Sequence, residues 1–433
     1  MFLTMLRVGL TGGIACGKSH VLKRLAEGGL DTLDLDQVSR AVMAPGGAAY
    51  DELRAAFGPP VLDSEGRIDR RALGMIAFAD AGVRTRLNAI VHPRVRQEEA
   101  RWAAAARGPV LVTDGALLVE AGVHLRFDRL VVVHCPPAEQ RRRLRERDGL
   151  DEASARARLA AQMPIEEKRR FAHFEVDTSG RMADTNRAAD ALLRDLRALA
   201  AAGPLRVEVP RERWLGGLLY GPSAGPRGLD PLTLLTEIAS AGGLEMERIG
   251  RRLLPPCPDA WYRCPAGHPD PAPGPATLAL PVVLWALARG GPDPPFLAAA
   301  SASLARLTHS EPDSLATAIV FALALQEAAV AGGLPDDLRN RRASWRTLAD
   351  RWGGGPPSAS LDAVFDAARE HPRDPRAARA ALGGQGEGAD LGGALVGLAA
   401  GVSGETVPPP LLEAVDGMAG LQGREHPAPE APG

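Results

Sequence analysis

The sequence predicts an α/β domain, a parallel sheet flanked by helices around a phosphate-binding loop, followed by an all-α domain. Three observations carry this. From position 6 to about 199, short apolar runs alternate with longer amphipathic stretches, the pattern of strands covered by helices. A glycine-rich loop follows the first apolar run. Beyond the Gly203-Pro204 break, β-branched runs thin out and Ala/Leu/Gly-rich helical segments alternate with Pro-rich loops at 255–275 and 353–357. The expected boundaries are 1–203 for the sheet-bearing domain and 204–423 for the helical one. Positions 424–433 hold three prolines and no apolar periodicity, so a disordered tail is expected there.

Strands are expected at 6–11, 32–35, 110–113 and 130–134, and helices at 19–27, 84–91, 138–147, 152–162 and 183–202. The 433 residues suggest two or three domains at roughly 150 residues each. A net charge of −2 and 4% aromatic residues supply neither a basic field nor stacking platforms, so no nucleic-acid partner is expected. The longest apolar stretches, 276–288 and 315–325, fall short of the ~20 residues a bilayer requires, and no membrane partner is expected. The first residues lack the charge order and cleavage site of a secretory signal, which suggests a cytoplasmic protein. The four cysteines, Cys16, Cys135, Cys257 and Cys264, are too sparse for a disulfide framework. Of 51 basic residues only Lys18, Lys23 and Lys168 are lysines. Where arginine has replaced lysine so widely, a retained lysine is informative.

Gly12-Gly13-Ile14-Ala15-Cys16-Gly17-Lys18-Ser19 matches G-x-x-x-x-G-K-[ST] between a strand and a helix. The glycines let the backbone curl so that successive N–H groups face a triphosphate, and the helix N-terminus adds its positive dipole. Lys18 would neutralise the β- and γ-phosphates, and Ser19 would give an oxygen to Mg²⁺. A glycine-rich turn that binds nothing is the blander alternative, and the retained lysine argues against it. Cys16 reads as a loop residue contributing its backbone N–H rather than as a redox group.

No lysine lies in a guanine-recognition element, so a GTPase is excluded. A small-molecule kinase needs an acceptor-side base and arginines that screen the transferred group. In Asp34-Leu35-Asp36 both carboxylates lie near the carboxyl edge of the sheet; either could accept a hydroxyl proton, or cap a helix starting near Gln37. Gln140, Arg143 and Arg147 share one helix face, which suits a lid and equally a solvated surface.

Across residues 6–180 the sequence resembles the dephospho-coenzyme A kinase family. The likeness runs through Leu10-Thr11-Gly12-Gly13-Ile14 into Gly17-Lys18-Ser19, then Asp34-Leu35-Asp36 and Gly66-Arg67-Ile68-Asp69-Arg70. It continues through Ile90-Val91-His92-Pro93, Asp114 with Leu117-Leu118 and Glu120, Gln140 with Arg143 and Arg147, and Arg158 with Gln162. The resemblance implies a P-loop kinase that uses ATP and Mg²⁺ to phosphorylate the 3′-hydroxyl of dephospho-CoA, with a helical CoA-binding insertion at 37–105. It implies Asp36 as base; Lys18, Arg143 and Arg147 as screening groups; and Gly12, Gly13, Ala15, Cys16, Gly17, Lys18, Ser19 and His20 around ATP. Asp36, Arg70, His92 and Asp114 would face the substrate, and Ser19 and Asp114 the metal. His92 also reads as a core histidine at a helix end. The sequence departs from the family pattern at His20, at Ala116 in place of proline, at Ala172-His173 in place of Ala-Asp, and at Thr178-Ser179-Gly180 in place of Asn-Ser-Gly. A non-catalytic ATP-binding regulator is the competing reading.

Residues 211–422 resemble, more faintly, the ADP-ribosylglycohydrolase family, through positions 213–221, 276–286, 307–309 and 392–397. Where that family carries its acidic metal-binding stretches, this sequence reads Asp230-Pro231-Leu232-Thr233 and Gln385-Gly386-Glu387-Gly388. Proline, leucine and glycine side chains offer no oxygen to a hard cation, so a helical domain without hydrolase activity is expected. Cys257, Cys264 and His268 lack a fourth ligand for zinc.

Overall fold

The computed structural model describes residues 5–203, 231–241, 276, 279–288, 293–306, 312–335, 338–352, 360–384, 387–401, 408–410 and 412–413. The expectations for 213–221, Asp230, Cys257, Cys264, His268, 307–309, Gln385 and the tail at 424–433 lie outside these residues, as does the side chain of Glu387.

Five parallel strands form one sheet: β1 (Leu6–Gly12), β2 (Asp31–Asp34), β3 (Val110–Asp114), β4 (Arg129–His134) and β5 (Phe174–Asp177), in the order β2-β3-β1-β4-β5. β1 is central and pairs on both sides, Val8 with Val112 and with Arg129. Val8, Leu10, Val112 and Val131–Val133 are buried, as expected of strands covered on both faces. All five strands run the same way, so Gly12, Asp34, Asp114, His134 and Asp177 end at one edge. Connections leave β1 and β3 toward opposite sides of the sheet, and a crevice at that edge is the usual ligand site of such sheets.

The expected first four strands stand within one or two residues of the observed ones; β5 went unpredicted. The flanking helices are α1 (Lys18–Glu27), α2 (Leu35–Met43), α3 (Tyr50–Phe57), α4 (Arg70–Ala79), α5 (Ala81–Ala105), α6 (Pro137–Asp148), α7 (Glu152–Ala160), α8 (Ile165–Arg169) and α9 (Met182–Ala202). Aspartate side chains start several of them: Asp69 accepts from the Arg71 and Ala72 amides, and Asp80 from those of Gly82 and Val83. α5 corrects the helix expected at 84–91: it continues through Pro93 to Ala105. α2–α5 form an insertion with a small core of its own, in which Leu53, Val61, Leu73 and Ile90 pack together.

The described elements after Gly203 are all helical: α10 (Pro231–Ala241), α11 (Ala279–Ala288), α12 (Pro294–Ala305), α13 (Pro312–Ala331), α14 (Leu338–Asp350), α15 (Ser360–Glu370), α16 (Pro375–Ala381) and α17 (Glu387–Ala400). α13 is long and apolar enough to cross a membrane, and most of it is enclosed by its neighbours. The helical part packs on the sheet-bearing part. One continuous apolar cluster runs from Val8 in β1 to Ala399 in α17. At the seam, the Phe171 and Trp352 rings meet edge to face at 4.6 Å, and Asp293, which caps α12, pairs with Arg129 at 3.0 Å.

Candidate active site

The glycine-rich loop joins β1 to α1 at the carboxyl edge of the sheet. Gly17 caps α1 with φ +75°, a left-handed conformation natural to glycine. A Cβ on Gly12 would strike the Val133 carbonyl oxygen of β4, so this position accepts no side chain without a shift of backbone. Ala15 holds φ +61° without being glycine. Such a conformation costs of order 1 kcal/mol and persists where neighbours enforce it.

The neighbours here are specific. The Ile14 N–H donates to Gln162 Oε1 at 2.9 Å, and the Ile14 carbonyl accepts from Gln140 Nε2 at 2.8 Å. Thr178 Oγ1 donates to the Cys16 carbonyl at 2.8 Å, and Arg143 donates to Oγ1 of Thr178 at 3.2 Å and to its carbonyl at 2.5 Å. Lys168, fully buried on α8, lies beneath the loop, with Nζ 3.3 Å from the Gly12 carbonyl and 2.9 Å from that of Ala116. The loop carbonyls are thus held from behind, while among the described residues the N–H groups of Ala15 and Gly17 have no internal acceptor. Backbone N–H groups presented this way form an anion cradle.

Lys18 points along the edge of the sheet and is ion-paired with Asp114 at the end of β3. Asp114 is 2% exposed. Burial pushes its carboxyl up to about 6, against the pull of Lys18, and the nearby Asp34 and Asp36 charges raise it further. Asp34 and Asp36 are thus near enough for their charges to be felt at Asp114, which alone of the three carboxylates is buried. Among the described residues no cluster of three or more His, Cys, Asp or Glu is arranged to hold a metal by itself. Ser19 is exposed in the first turn of α1 and Asp114 ends β3, so each brings an oxygen donor to this end of the sheet.

The two aspartates where β2 passes into α2 separate. Asp34 caps α2, its Oδ1 accepting from the Asp36 amide at 2.8 Å and the Gln37 amide at 3.1 Å, and its Oδ2 accepting from Gln37 Nε2 at 2.9 Å. Asp36 is exposed in the first turn of that helix.

The remaining expected residues divide. Arg143 is half-buried against the loop, its Nε also donating to Glu139 at 2.7 Å. Arg147 instead pairs with Asp148 at 2.7 Å at the end of α6, where Arg158 meets the same carboxylate at 2.9 Å. His20 lies between helices rather than in the cradle: Nε2 is 2.6 Å from Asn186 Oδ1 of α9, and its N–H donates to Gly17. Arg70 is exposed at the start of α4. His92 is exposed in the middle of α5, which corrects the core, helix-end alternative. Lys168 and Thr178 were not among the expected site residues. Lys168 could have been suspected as one of three retained lysines, and Thr178 as the first residue of the stretch that stands in place of the family's Asn-Ser-Gly.

Residues 6–184 match the family model described as dephospho-CoA kinase. A dephospho-CoA kinase of Anaeromyxobacter dehalogenans is 46% identical over 193 residues, spanning 44% of this chain and 92% of that protein. The chain belongs to the dephospho-CoA kinase family. Another dephospho-CoA kinase, of Geobacillus kaustophilus, is 43% identical over 197 residues, covering 45% of this chain and 98% of that one. A crystallised Thermus thermophilus protein aligns with 35% identity over 44% of this chain and 98% of its own, with a TM-score of 0.41. Beyond the kinase family region, residues 213–425 match the family model described as ADP-ribosylglycohydrolase.

Proposed function

We propose that this chain transfers the γ-phosphoryl group of ATP to the 3′-hydroxyl of dephospho-CoA, giving CoA and ADP. The observation that carries this reading is the pinned anion cradle with Lys18 and Asp114 at its mouth and Asp36 beside them. Membership of the kinase family supplies the acceptor.

In this mechanism the loop N–H groups and the α1 dipole hold the ATP phosphates, and Lys18 leaves Asp114 to screen the β- and γ-phosphates. Arg143, already against the loop, adds a second positive charge, and Arg147 joins when α6 and α7 close over the nucleotide. Mg²⁺, held through Ser19 and Asp114, would neutralise charge on the phosphates. Asp36 accepts the proton of the ribose hydroxyl; Asp34 is occupied in capping, which leaves Asp36 as the base. Arg70 and His92, on the inserted helices, would contact the CoA moiety. Catalysis of this kind is mostly positioning and charge stabilisation. ATP as donor is consistent with a cytoplasmic setting.

Purified chain with ATP, Mg²⁺ and dephospho-CoA should release ADP only when dephospho-CoA is present. ATP binding without turnover would support a nucleotide sensor instead. The helical part is assigned no hydrolase activity, because Pro231 and Leu232 stand where oxygen ligands are needed. Release of ADP-ribose from an ADP-ribosylated substrate would overturn that assignment.

A further inference from the structure

Lys168 takes no part in the chemistry above, yet its ammonium is completely buried, and a buried charge is retained only where it is compensated. Nζ lies 2.7 Å from Glu120 Oε1 and reaches the carbonyls of Gly12 and Ala116. The first carbonyl begins the phosphate loop. The second belongs to the turn after Asp114, and it also accepts from Thr11 Oγ1 at 3.1 Å. One ammonium therefore ties together the two segments that supply the cradle and its carboxylate.

Lys168 is carried on α8, a helix of only five residues, too short to be stable on its own. Its outer side is covered by the helical part of the chain. Phe171, just after α8, packs edge to face on Trp352 at 4.6 Å and on His124 at 4.9 Å. Arg306 approaches Glu167 of α8 at 3.9 Å and lies over the Trp352 ring at 5.8 Å. His173 faces Asp293 at 3.6 Å while its Nδ1 accepts from the Leu130 amide at 3.0 Å. From Glu167 to His173 the segment is held between the sheet and residues that flank α12 and α14, namely Asp293, Arg306 and Trp352.

We propose that the helical part acts as a positioning element of the kinase: it presses α8 inward through Phe171 and Trp352, so that Lys168 fixes the phosphate loop in its nucleotide-binding form. Lys168 and Trp352 are positioning residues, since neither reaches the reacting atoms. The proposal rests on the kinase reading, and its test separates the two.

Full-length Trp352→Ala, Lys168→Met, Lys168→Arg and Trp345→Ala chains would be compared with the unaltered protein for MgATP affinity by calorimetry, for KM and kcat, and for melting temperature. Trp345 packs on Phe365 inside the helical part and controls for general loss of stability. Trp352→Ala should weaken MgATP binding by roughly 5–10-fold, a loss of about 1–1.4 kcal/mol, and raise KM for ATP in step while leaving KM for dephospho-CoA within twofold. Lys168→Met should weaken MgATP binding more, and Lys168→Arg, which keeps the charge, should recover part of it. Trp345→Ala should lower the melting temperature with MgATP affinity unchanged. If Lys168→Met does not fold, Trp352→Ala and Lys168→Arg still decide. Unaltered MgATP affinity in Trp352→Ala, or an equal loss in Trp345→Ala, overturns the proposal. An unaltered chain that binds MgATP yet leaves dephospho-CoA untouched overturns the kinase reading alone, because the binding comparison does not depend on turnover.

Discussion

Substituting Asp114 by asparagine separates two opposed forces on one carboxyl, its burial and its attraction to Lys18. The fold lifts the group from 3.8 to about 6. That shift of roughly two units corresponds to ~3 kcal/mol at about 1.36 kcal/mol per unit. Because the folded value lies above the unfolded one, the neutral acid is the form the fold prefers. Its contribution is fully present below about pH 4 and is lost as the pH rises through 6. Integrating the linkage between about pH 5 and about pH 8 leaves ~1.4 kcal/mol to be lost within that window. Asparagine does not titrate, so the unfolding free energy of the native chain minus that of Asp114→Asn should fall by ~1.4 kcal/mol across the window. Urea unfolding followed by tryptophan fluorescence at a series of pH values reads this difference. A flat difference would show that Lys18 balances burial, and one that grows with pH that Lys18 outweighs it; either would refute the reasoning.

The same carboxyl should shape turnover: kcat/KM for MgATP should rise with pH through about 6, and a profile level from about pH 5 to about pH 8 would remove ionised Asp114 from nucleotide binding. Lys18→Ala should lower kcat by roughly 10²–10³-fold without unfolding the chain, checked by steady-state kinetics alongside circular dichroism. Asp36→Asn should lower kcat by roughly 10²-fold with KM for ATP little changed, whereas Asp34→Asn should chiefly loosen α2; the reverse ranking in parallel assays would move the base to Asp34. Gly12→Ala should destabilise by ~1–3 kcal/mol in denaturant unfolding, since its new methyl meets the Val133 carbonyl.

Much of the site was legible because it is local. The loop, its lysine and its serine lie within eight consecutive residues, and the capping role of Asp34 was one of two readings its spacing allowed. What holds the loop in shape was not legible, because it comes from far along the chain: Gln162, Lys168 and Thr178 reach back about 150 residues to Ile14, Gly12 and Cys16. No periodicity encodes that convergence. Gln140, Arg143 and Arg147 share a face by spacing, but only the fold shows that the first two brace the loop while Arg147 ends beside Asp148. β5 was missed because its four residues form an edge strand in which only Val176 is buried. α5 outran its expected end at Val91: the helix continues through Pro93 to Ala105.

The seam around Phe171 has a consequence for the history of this chain. Phe171 and His124 are shielded from water by neighbours contributed after Gly203, Trp352 and Ser303 among them. Once such side chains are covered, selection no longer keeps that surface wettable, and the fusion becomes hard to undo. A gene trimmed at codon 203 would leave a greasy scar, and its product should aggregate more readily than the full-length chain.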